Sequence, residues 1–398
     1  MSATILDRCN VVDLEKGVVK KDVKVLIKDR FITDVSADKV ECEGRVVDLE
    51  GCFVLPGLIN VHNNLSIDYP FEKVNPSEDP AVTVLRCYRR ALDALRAGVT
   101  TLRTVGEIHR ADIALKKMIN EGWVEGPRIV AGGKGLGVTG GHGAGFGQVE
   151  ADGPIEFLKA ARVELAHGAE HLKIYISGGI AKPEEEFDEP QMSKEEMQAV
   201  VYAARSKKTY VAAHAGGSTA ILTAVDAGVT CFEHGYLLNR EAAKAIKSVN
   251  GYLVPTLSVT RSPEWMRANR FNEAVIDKAL SAAKRHTQSL QTAYNEGVTI
   301  VAGTDLPPGD LNEGVNVTVR EIEFLVEAGL STLDALKAAT VNAARLCRID
   351  DRVGWIKGGY YADLIAVREN PLEDVRALRE IVFVMKDGKV IKNDLKGR

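Results

Sequence analysis

The stretch YVAAHAGGSTAILTAVDAGVTCFEHG, residues 210–235, contains two apolar runs that each end in a histidine, with one helical pattern between them. Short apolar runs without polar alternation are typical of strands that are buried on both faces of a sheet. The pattern therefore predicts strand, helix and strand in succession, which is the unit from which parallel sheets are built.

The same alternation extends in both directions from this unit. Strand-like runs are followed by longer amphipathic segments such as AVTVLRCYRRALDALRAG, PIEFLKAARVELAHG and SKEEMQAVVYAARSK. A repeat of this kind over about 250 residues predicts an α/β fold, the (β/α)8 TIM barrel. The eight predicted strands are 58–63, 100–105, 128–133, 171–176, 210–215, 230–235, 252–257 and 298–305.

Both ends of the chain have a different character. The N-terminal segments TILDRCNVVD, DVKVLIKDRFITDVS and GRVVDLEGCFVL and the tail segments YADLIAVR and EIVFVMKDGKVIK alternate in polarity and are separated by charged turns. We expect both ends to form one small β-sandwich-like domain from residues 1–56 and 350–398. Residues 57–349 are then the barrel.

The composition excludes several classes of protein. The 398 residues are 45% hydrophobic and 27% charged, with a net charge of −4, which is ordinary for a globular protein and gives no basic excess for nucleic acid. The start MSATILDRCN carries charge too early for a secretory signal, and no apolar run is long enough to span a membrane. The six cysteines have no CxxC spacing. We expect a cytoplasmic protein that binds neither nucleic acid nor membranes.

One glycine motif is misleading. Gly135, Gly137 and Gly140 match the GxGxxG pattern of dinucleotide-binding folds. Such a site needs a helix that opens at once, with its N-terminus at the pyrophosphate. Here GHGAGFG and QVEADGP follow, and the helical pattern begins only near Pro154. The glycines therefore indicate a loop at an active site.

Polar side chains lie at the ends of the predicted barrel strands, where the active sites of TIM barrels are found. Residues two apart on a strand share a face, so several of these groups are expected on one rim. Each group alone has an ordinary explanation, such as a satisfied histidine, a salt-bridged lysine or a helix-capping aspartate. Together they would be costly to bury without a cation. The group consists of Asn60, His62, Asn64, Lys173, His214, His234 and Asp305.

Imidazole and carboxylate ligands without thiolates are typical of a catalytic site for zinc, or for manganese, cobalt or nickel. Lys173 is the exception in this group, because an ammonium is repelled by a divalent cation. It must therefore be neutral, displaced or chemically modified.

The segments PGLINVHNN, LKIYISGG, VAAHAGG, FEHG and AGTD occur in this order, with TGGHGAG and the tail IKGGYYADLIAV. With these motifs the chain resembles the amidohydrolase superfamily, in the branch of prolidase-like, carboxypeptidase-like and imidazolonepropionase-related members. The resemblance covers nearly the whole chain. It implies one or two metal ions per chain and a CO2-derived carboxylate on Lys173 that bridges them. His62, position 64 and Asp305 would hold one metal with the bridge, and His214 and His234 the other.

Three positions depart from this pattern. Asn60 stands where the family usually has aspartate, and Asn64 replaces the second histidine of the HxH motif. An amide binds transition metals less well than imidazole, so we expect one metal position to be weakened. Thr104 stands where relatives often have aspartate. Some relatives that act on ureas or carbamates carry an asparagine in the first-strand motif, so the change does not by itself imply lost activity.

The sequence thus predicts a metal-dependent amidohydrolase that cleaves a C–N bond in a small molecule, such as an N-acyl amino acid or a dipeptide. Bound water would be activated as hydroxide, with Asp305 accepting its proton and His142 helping to polarise the carbonyl. Tyr175, Tyr236 and Arg261 are candidate substrate contacts. For each, a structural role as a core tyrosine or a surface arginine is the alternative.

Two other functions remain open from the sequence. The Asn64 change favours a hydrolase of ureas, carbamates or cyclic amides. The lost histidine also fits a non-catalytic, metal-poor scaffold, although the retention of Lys173, His214, His234 and Asp305 argues against it. By analogy with the family we expect a homo-oligomer.

Overall fold

The structure is a computed structural model that describes residues 3–37 and 44–395. In the described residues, five strands precede the barrel. Pro56 ends the last of them, and only Gly57 separates it from the first barrel strand. The five strands are β1 (Ala3–Asp13), β2 (Val18–Lys28), β3 (Phe31–Ser36), β4 (Gly44–Asp48) and β5 (Phe53–Pro56).

The central part of the chain contributes ten strands, of which eight form the barrel. The two others, β9 and β10, lie in the glycine-rich loop after the third barrel strand. The strands are β6 (Leu58–Asn63), β7 (Val99–Thr104), β8 (Arg128–Val130), β9 (Leu136–Gly137), β10 (Val149–Glu150), β11 (Leu172–Tyr175), β12 (Val211–Gly217), β13 (Cys231–Leu237), β14 (Tyr252–Val254) and β15 (Thr299–Ile300).

The barrel strands are parallel and follow their order in the chain. Ladders join β6 to β7 to β8, and β11 through β12, β13 and β14 to β15. Two backbone hydrogen bonds close the circle: Glu170 N to Ala131 O at 2.8 Å, and Val61 N to Ala302 O at 3.1 Å. The predicted (β/α)8 barrel is confirmed, and each predicted strand overlaps an observed one.

Twelve helices accompany these strands in the described part of the chain. Most cover the outside of the barrel, and several begin at a side-chain cap; Ser193, for example, accepts from Glu196 N in a capping box. They are α1 (Pro80–Arg96), α2 (Ala111–Asn120), α3 (Gly153–His167), α4 (Lys194–Ser206), α5 (Ser218–Ala227), α6 (Arg240–Ser248), α7 (Ser258–Arg261), α8 (Pro263–Ala268), α9 (Glu273–Asn295), α10 (Val317–Glu327), α11 (Thr332–Ala338) and α12 (Val341–Leu346). Three 3-10 turns lie at Phe71–Lys73, Ile108–Arg110 and Val375–Arg379.

The remaining strands are β16 (Leu311–Asn312) and β17 (Val315–Asn316), which form a small hairpin, and β18 (Leu364–Val367), β19 (Ile381–Lys386) and β20 (Lys389–Asn393). The last three join the N-terminal strands in the order β20-β19-β18-β5-β1-β2-β3, and β4 pairs with β1. Leu6, Ile27, Val54, Leu364 and Phe383 share one apolar core inside this sheet. The expected β-domain from both chain ends is therefore present, while its exact limits at residues 56 and 350 stay a prediction.

Helix α3 begins at Gly153, well after the glycine motif, so no helix opens where a dinucleotide would need one. Among the helices of the described residues, none combines the length and the apolar character that crossing a bilayer requires.

Candidate metal centre and active site

His62 lies at the end of β6 and is 2% exposed. Its Nδ1 donates to Glu233 Oε2 at 2.7 Å. The acceptor fixes the tautomer, so a neutral ring keeps its lone pair on Nε2. That nitrogen faces Asp305 Oδ1 at 3.2 Å. Two lone pairs that face each other repel, and a cation bound between them would remove the repulsion.

The next two histidines are oriented in the same way by groups outside the pocket. His214 Nε2 donates to Gly178 O at 3.1 Å, which leaves Nδ1 as the free ligand atom. His234 Nδ1 contacts the Thr256 hydroxyl at 2.7 Å, which leaves Nε2. The ring centroids of His214 and His234 are 4.5 Å apart, and those of His62 and His234 are 5.0 Å apart.

Asp305 completes the cluster from the segment that follows β15, the eighth barrel strand. Its backbone has a φ of 55°, and its N donates to His62 O at 2.9 Å, which holds the two strand ends together. Ligand atoms of His62, His234 and Asp305 all lie within 4.8 Å of one another. Nitrogen and carboxylate donors at this separation fit a divalent transition metal.

Asn64 occupies the position of the expected weak ligand. Its Nδ2 donates to Asp305 Oδ1 at 2.5 Å, the same oxygen that faces His62. At this position the side chain therefore offers a donor to the carboxylate, where a metal would need a lone pair.

Lys173 lies on β11, is 1% exposed and lines the same pocket. Burial lowers the pKa of its ammonium, and the negative charges of Glu233 and Asp305 only partly oppose this. The pocket thus brings together every predicted metal ligand: His62, Asn64, Lys173, His214, His234 and Asp305.

Two buried charges that no sequence pattern predicted lie next to this cluster. Arg103 and Glu233 are both fully buried, and Arg103 Nη2 donates to Glu233 Oε1 at 2.6 Å. Burial raises the pKa of Glu233, but the attraction of Arg103 and His62 outweighs it, and the pKa lies below its usual range. Glu233 is therefore an anion that holds His62.

Regular strand alternation would place Glu233 and His234 on opposite faces of the sheet, so the strand pattern did not predict Glu233 at the site. His234 has a φ of 70°, which breaks the alternation and lets both neighbours reach the barrel interior. The only signal in the sequence was the carboxylate next to the histidine in FEHG.

His142 is 7% exposed and comes from the glycine-rich loop. Its Nδ1 donates to Glu185 Oε2 at 2.5 Å, and its ring stacks on His214 with centroids 4.2 Å apart. Burial raises the pKa of Glu185, but the hydrogen bond from His142 dominates and the net pKa is lowered. A carboxylate on Nδ1 fixes the orientation of the His142 ring. Glu185 is a further site residue that no sequence pattern predicted.

Both predicted substrate tyrosines are found at the pocket. Tyr175 lines it beside Lys173, and its ring packs under the glycine-rich loop, where a Cβ at Gly135 or Gly143 would come within 2.7 Å of the ring. Tyr236 is 1% exposed, stacks on His234 with centroids 5.1 Å apart, and lines the adjoining apolar lobe.

Arg261 is not brought to the pocket, contrary to the expectation. Its Nη2 donates to Glu327 Oε2 at 2.9 Å, and the guanidinium lies 4.6 Å from the Phe324 ring centroid. Strand β14 ends at Val254, and α7 carries Arg261 away from the rim. This position fits the alternative of a structural arginine.

The other departures from the family pattern have local partners. Asn60 donates from Nδ2 to Thr304 and Thr318 at 2.9 and 3.0 Å, so its side chain is fully used within the barrel. Thr104 donates to Asp112 Oδ2 at 2.7 Å, and this carboxylate also accepts from the backbone N of Gly132 and Gly133.

Residues 53–396 match the Amidohydrolase family. The chain belongs to that family. It is 30% identical to ochratoxinase of Aspergillus niger over 371 residues, covering 85% of this chain and 75% of that protein. It is 22% identical to imidazolonepropionase of Kosmotoga olearia, covering 94% and 91%. A crystal structure of a Xaa-Pro dipeptidase with bound methionine superposes with a TM-score of 0.89 at 31% identity, covering 98% of this chain and 100% of that chain.

The resemblance seen in the sequence is thereby confirmed. The protein is a hydrolase that acts on carbon–nitrogen bonds, and the alternative of a non-catalytic scaffold is not supported.

Proposed function

We propose that the protein is a divalent-metal-dependent hydrolase that cleaves an amide bond in a small molecule. The observation that carries the proposal is that ligand atoms of His62, His234 and Asp305 lie within 4.8 Å of one another, beside His214 and Lys173 in one pocket. The similarity to an ochratoxinase and to a Xaa-Pro dipeptidase supports this reaction class.

The residues present fit zinc, manganese, cobalt or nickel, with one or two ions per chain. His62 and Asp305 would hold one ion, His214 and His234 the other, and Lys173 would reach both as a carbamate. Burial favours the neutral amine of Lys173, which is the form that reacts with CO2. When bound, the metal would supply Lewis acidity and a water of lowered pKa.

The chain's own residues then have separate tasks. Asp305 lies at the mouth, with 24% of its side chain exposed, and would accept the proton of the attacking water and pass it to the leaving amine. His142 would donate from Nε2 to the carbonyl oxygen, with Glu185 holding its other nitrogen. Tyr175 and Tyr236 would border the bound substrate.

The second candidate is a hydrolase of ureas, carbamates or cyclic amides. The placement of Arg261 favours it, because this guanidinium is paired with Glu327 and does not offer itself to a substrate carboxylate. A screen of dipeptides and N-acyl amino acids beside aryl ureas and carbamates separates the two. Cleavage of free-carboxylate amides alone would eliminate this second candidate.

The proposal is tested with protein prepared in zinc or manganese and bicarbonate. We expect bound metal by plasma mass spectrometry, inhibition by chelators, and a carboxylated Lys173 by crystallography. Asp305→Asn should lower kcat by about 100-fold or more, since general-base groups contribute about that much. Asp277→Asn, an exposed aspartate on α9, is the matched control and should keep full activity. An ion-free protein, or full activity in Asp305→Asn, contradicts the proposal. The homo-oligomer also stays a prediction, which light scattering can test.

A further inference from the structure

An apolar lobe opens directly beside the metal cluster. It has a volume of about 460 Å³ including its open mouth. His142, His214 and Asp305 form the polar part of the wall that it shares with the metal pocket. A group in this lobe would therefore be joined to atoms that lie at the reactive centre.

The apolar part of the lobe's wall is built from aromatic rings on two separate loops. Tyr69 and Phe71 follow the first barrel strand, and Trp265 and Phe271 follow the seventh. The Tyr69 ring stacks on Phe271 with centroids 5.5 Å apart and meets Trp265 edge-on at 5.2 Å. Such offset and edge-on contacts are the preferred geometries between aromatic rings.

Contacts outside the lobe fix the orientation of two of these rings. The Trp265 indole N–H donates to Asp310 Oδ2 at 3.0 Å, so its polar atom is satisfied away from the lobe. Phe146 packs on Phe71 with centroids 5.5 Å apart, and the residues on either side of it, Gly145 and Gly147, have φ of 87° and 74°. A left-handed backbone at both positions favours glycine, and Phe146 itself lines the adjoining metal pocket.

Charge is confined to the shared wall. Within residues 3–37 and 44–395, no lysine or arginine lines the lobe, and Asp305 is its one carboxylate. A charged or strongly polar substituent would thus lose its hydration without a partner. A flat apolar ring gives up little favourable hydration and gains stacking contacts with the aromatic side chains.

We propose that this lobe binds an aromatic ring that the substrate carries on one side of the scissile bond. The inference rests on the proposed function and narrows it to aryl-bearing amides or ureas. Trp265 and Phe271 are the residues that determine this specificity.

The first test compares N-benzoylglycine, with its ring on the acyl side, N-acetylphenylalanine, with its ring on the amine side, and N-acetylglycine. We expect at least one aryl substrate to exceed N-acetylglycine in kcat/KM by about 10-fold or more. In Trp265→Leu and Phe271→Leu this ratio should fall towards one, mainly through KM. Trp123→Leu, at an exposed tryptophan, is the matched control and should keep the ratio. Equal cleavage of all three substrates, or an unchanged ratio in both variants, would overturn the inference.

The second test does not depend on turnover. Benzyl alcohol and 1-butanol are titrated into the full chain and followed by saturation-transfer NMR, with circular dichroism to show that each variant is folded. Benzyl alcohol should give a saturable signal that weakens in Phe271→Leu, while 1-butanol should not. If benzyl alcohol binds but no amide is cleaved, only the proposed function is contradicted. If amides are cleaved with no preference for a ring and benzyl alcohol does not bind, only this inference is contradicted.

Discussion

One carboxylate oxygen shows how a single residue can set metal affinity. Asp305 Oδ1 lies 3.2 Å from His62 Nε2 and also accepts from Asn64 Nδ2 at 2.5 Å. The amide therefore satisfies the oxygen that a cation would need. Imidazole in place of this amide would remove the donor and add a nitrogen ligand.

We expect Asn64→His to raise the metal content per chain, measured by plasma mass spectrometry after dialysis against limiting zinc. Asn64→Ala is the control, since it removes the amide without adding a ligand. Equal occupancy in wild type and Asn64→His would show that position 64 does not limit metal binding.

Glu233 is a second single residue with a large expected effect, because its carboxylate neutralises the completely buried guanidinium of Arg103. Replacing one partner of such a pair leaves an uncompensated charge, which costs about 3–5 kcal/mol. Glu233→Gln should therefore lower the free energy of unfolding by about this amount, measured in urea. The double variant Arg103→Met, Glu233→Met removes both charges and should recover much of the loss.

The effect of Glu233 depends on pH in a defined direction. The pKa of Glu233 is lowered in the folded protein. Its contribution to the free energy of unfolding is therefore present above its pKa in the unfolded chain, about 4.3, and is lost as the pH falls. The difference in unfolding free energy between wild type and Glu233→Gln should shrink between about pH 6 and pH 3. A difference that grows in acid would show that Glu233 is not ionised in the folded state.

At the scale of elements, the strands could be predicted and the supports of their loops could not. The apolar runs that predict β6, β12 and β13 are local patterns. By contrast, Glu107 accepts from the backbone N of Leu65 and Ser66, and Glu321 from that of Leu257 and Ser258. These pairs are about 40 and 60 residues apart in sequence, and no local pattern connects them.

The loop after β11 depends on the longest of these supports. Lys278, on α9, donates from Nζ to the carbonyl oxygens of Gly179, Lys182 and Glu185 at 2.7, 2.7 and 2.5 Å. This loop carries Glu185 to His142, so the lysine positions a group at the reactive centre without touching it.

Lys278→Met should free three carbonyl groups and loosen the loop. We expect faster amide hydrogen exchange in residues 178–190 and a fall in kcat/KM of about 10-fold, because small misplacements at a reactive centre are costly. Lys278→Arg should recover part of the loss. Lys284→Met, at an exposed lysine on the same helix, is the control. Unchanged exchange in Lys278→Met would exclude this role.

At the scale of the whole molecule, the two chain ends and the barrel are joined by buried polar contacts as well as by the chain. Arg128, at the start of the third barrel strand, donates to Asp363 at 2.7 Å and to Asp387 at 2.9 Å. Asp363 is 4% exposed, and burial raises its pKa although Arg128 opposes this. The sequence predicted that the two chain ends form one domain. It did not predict which side chains join that domain to the barrel, since 235 positions separate Arg128 from Asp363.

Arg128→Met should therefore destabilise both parts of the molecule together. Loss of the cation leaves Asp363 buried without a counter-charge, at a cost of about 3 kcal/mol or more. The pKa of Asp363 would rise further, so the destabilisation should be larger at pH 8 than at pH 5. Arg376→Met, at an exposed ion pair with Asp374, is the control and should leave the free energy of unfolding nearly unchanged. If tryptophan fluorescence and circular dichroism showed one early transition of the β-domain and an unchanged barrel, Arg128 would not couple the two.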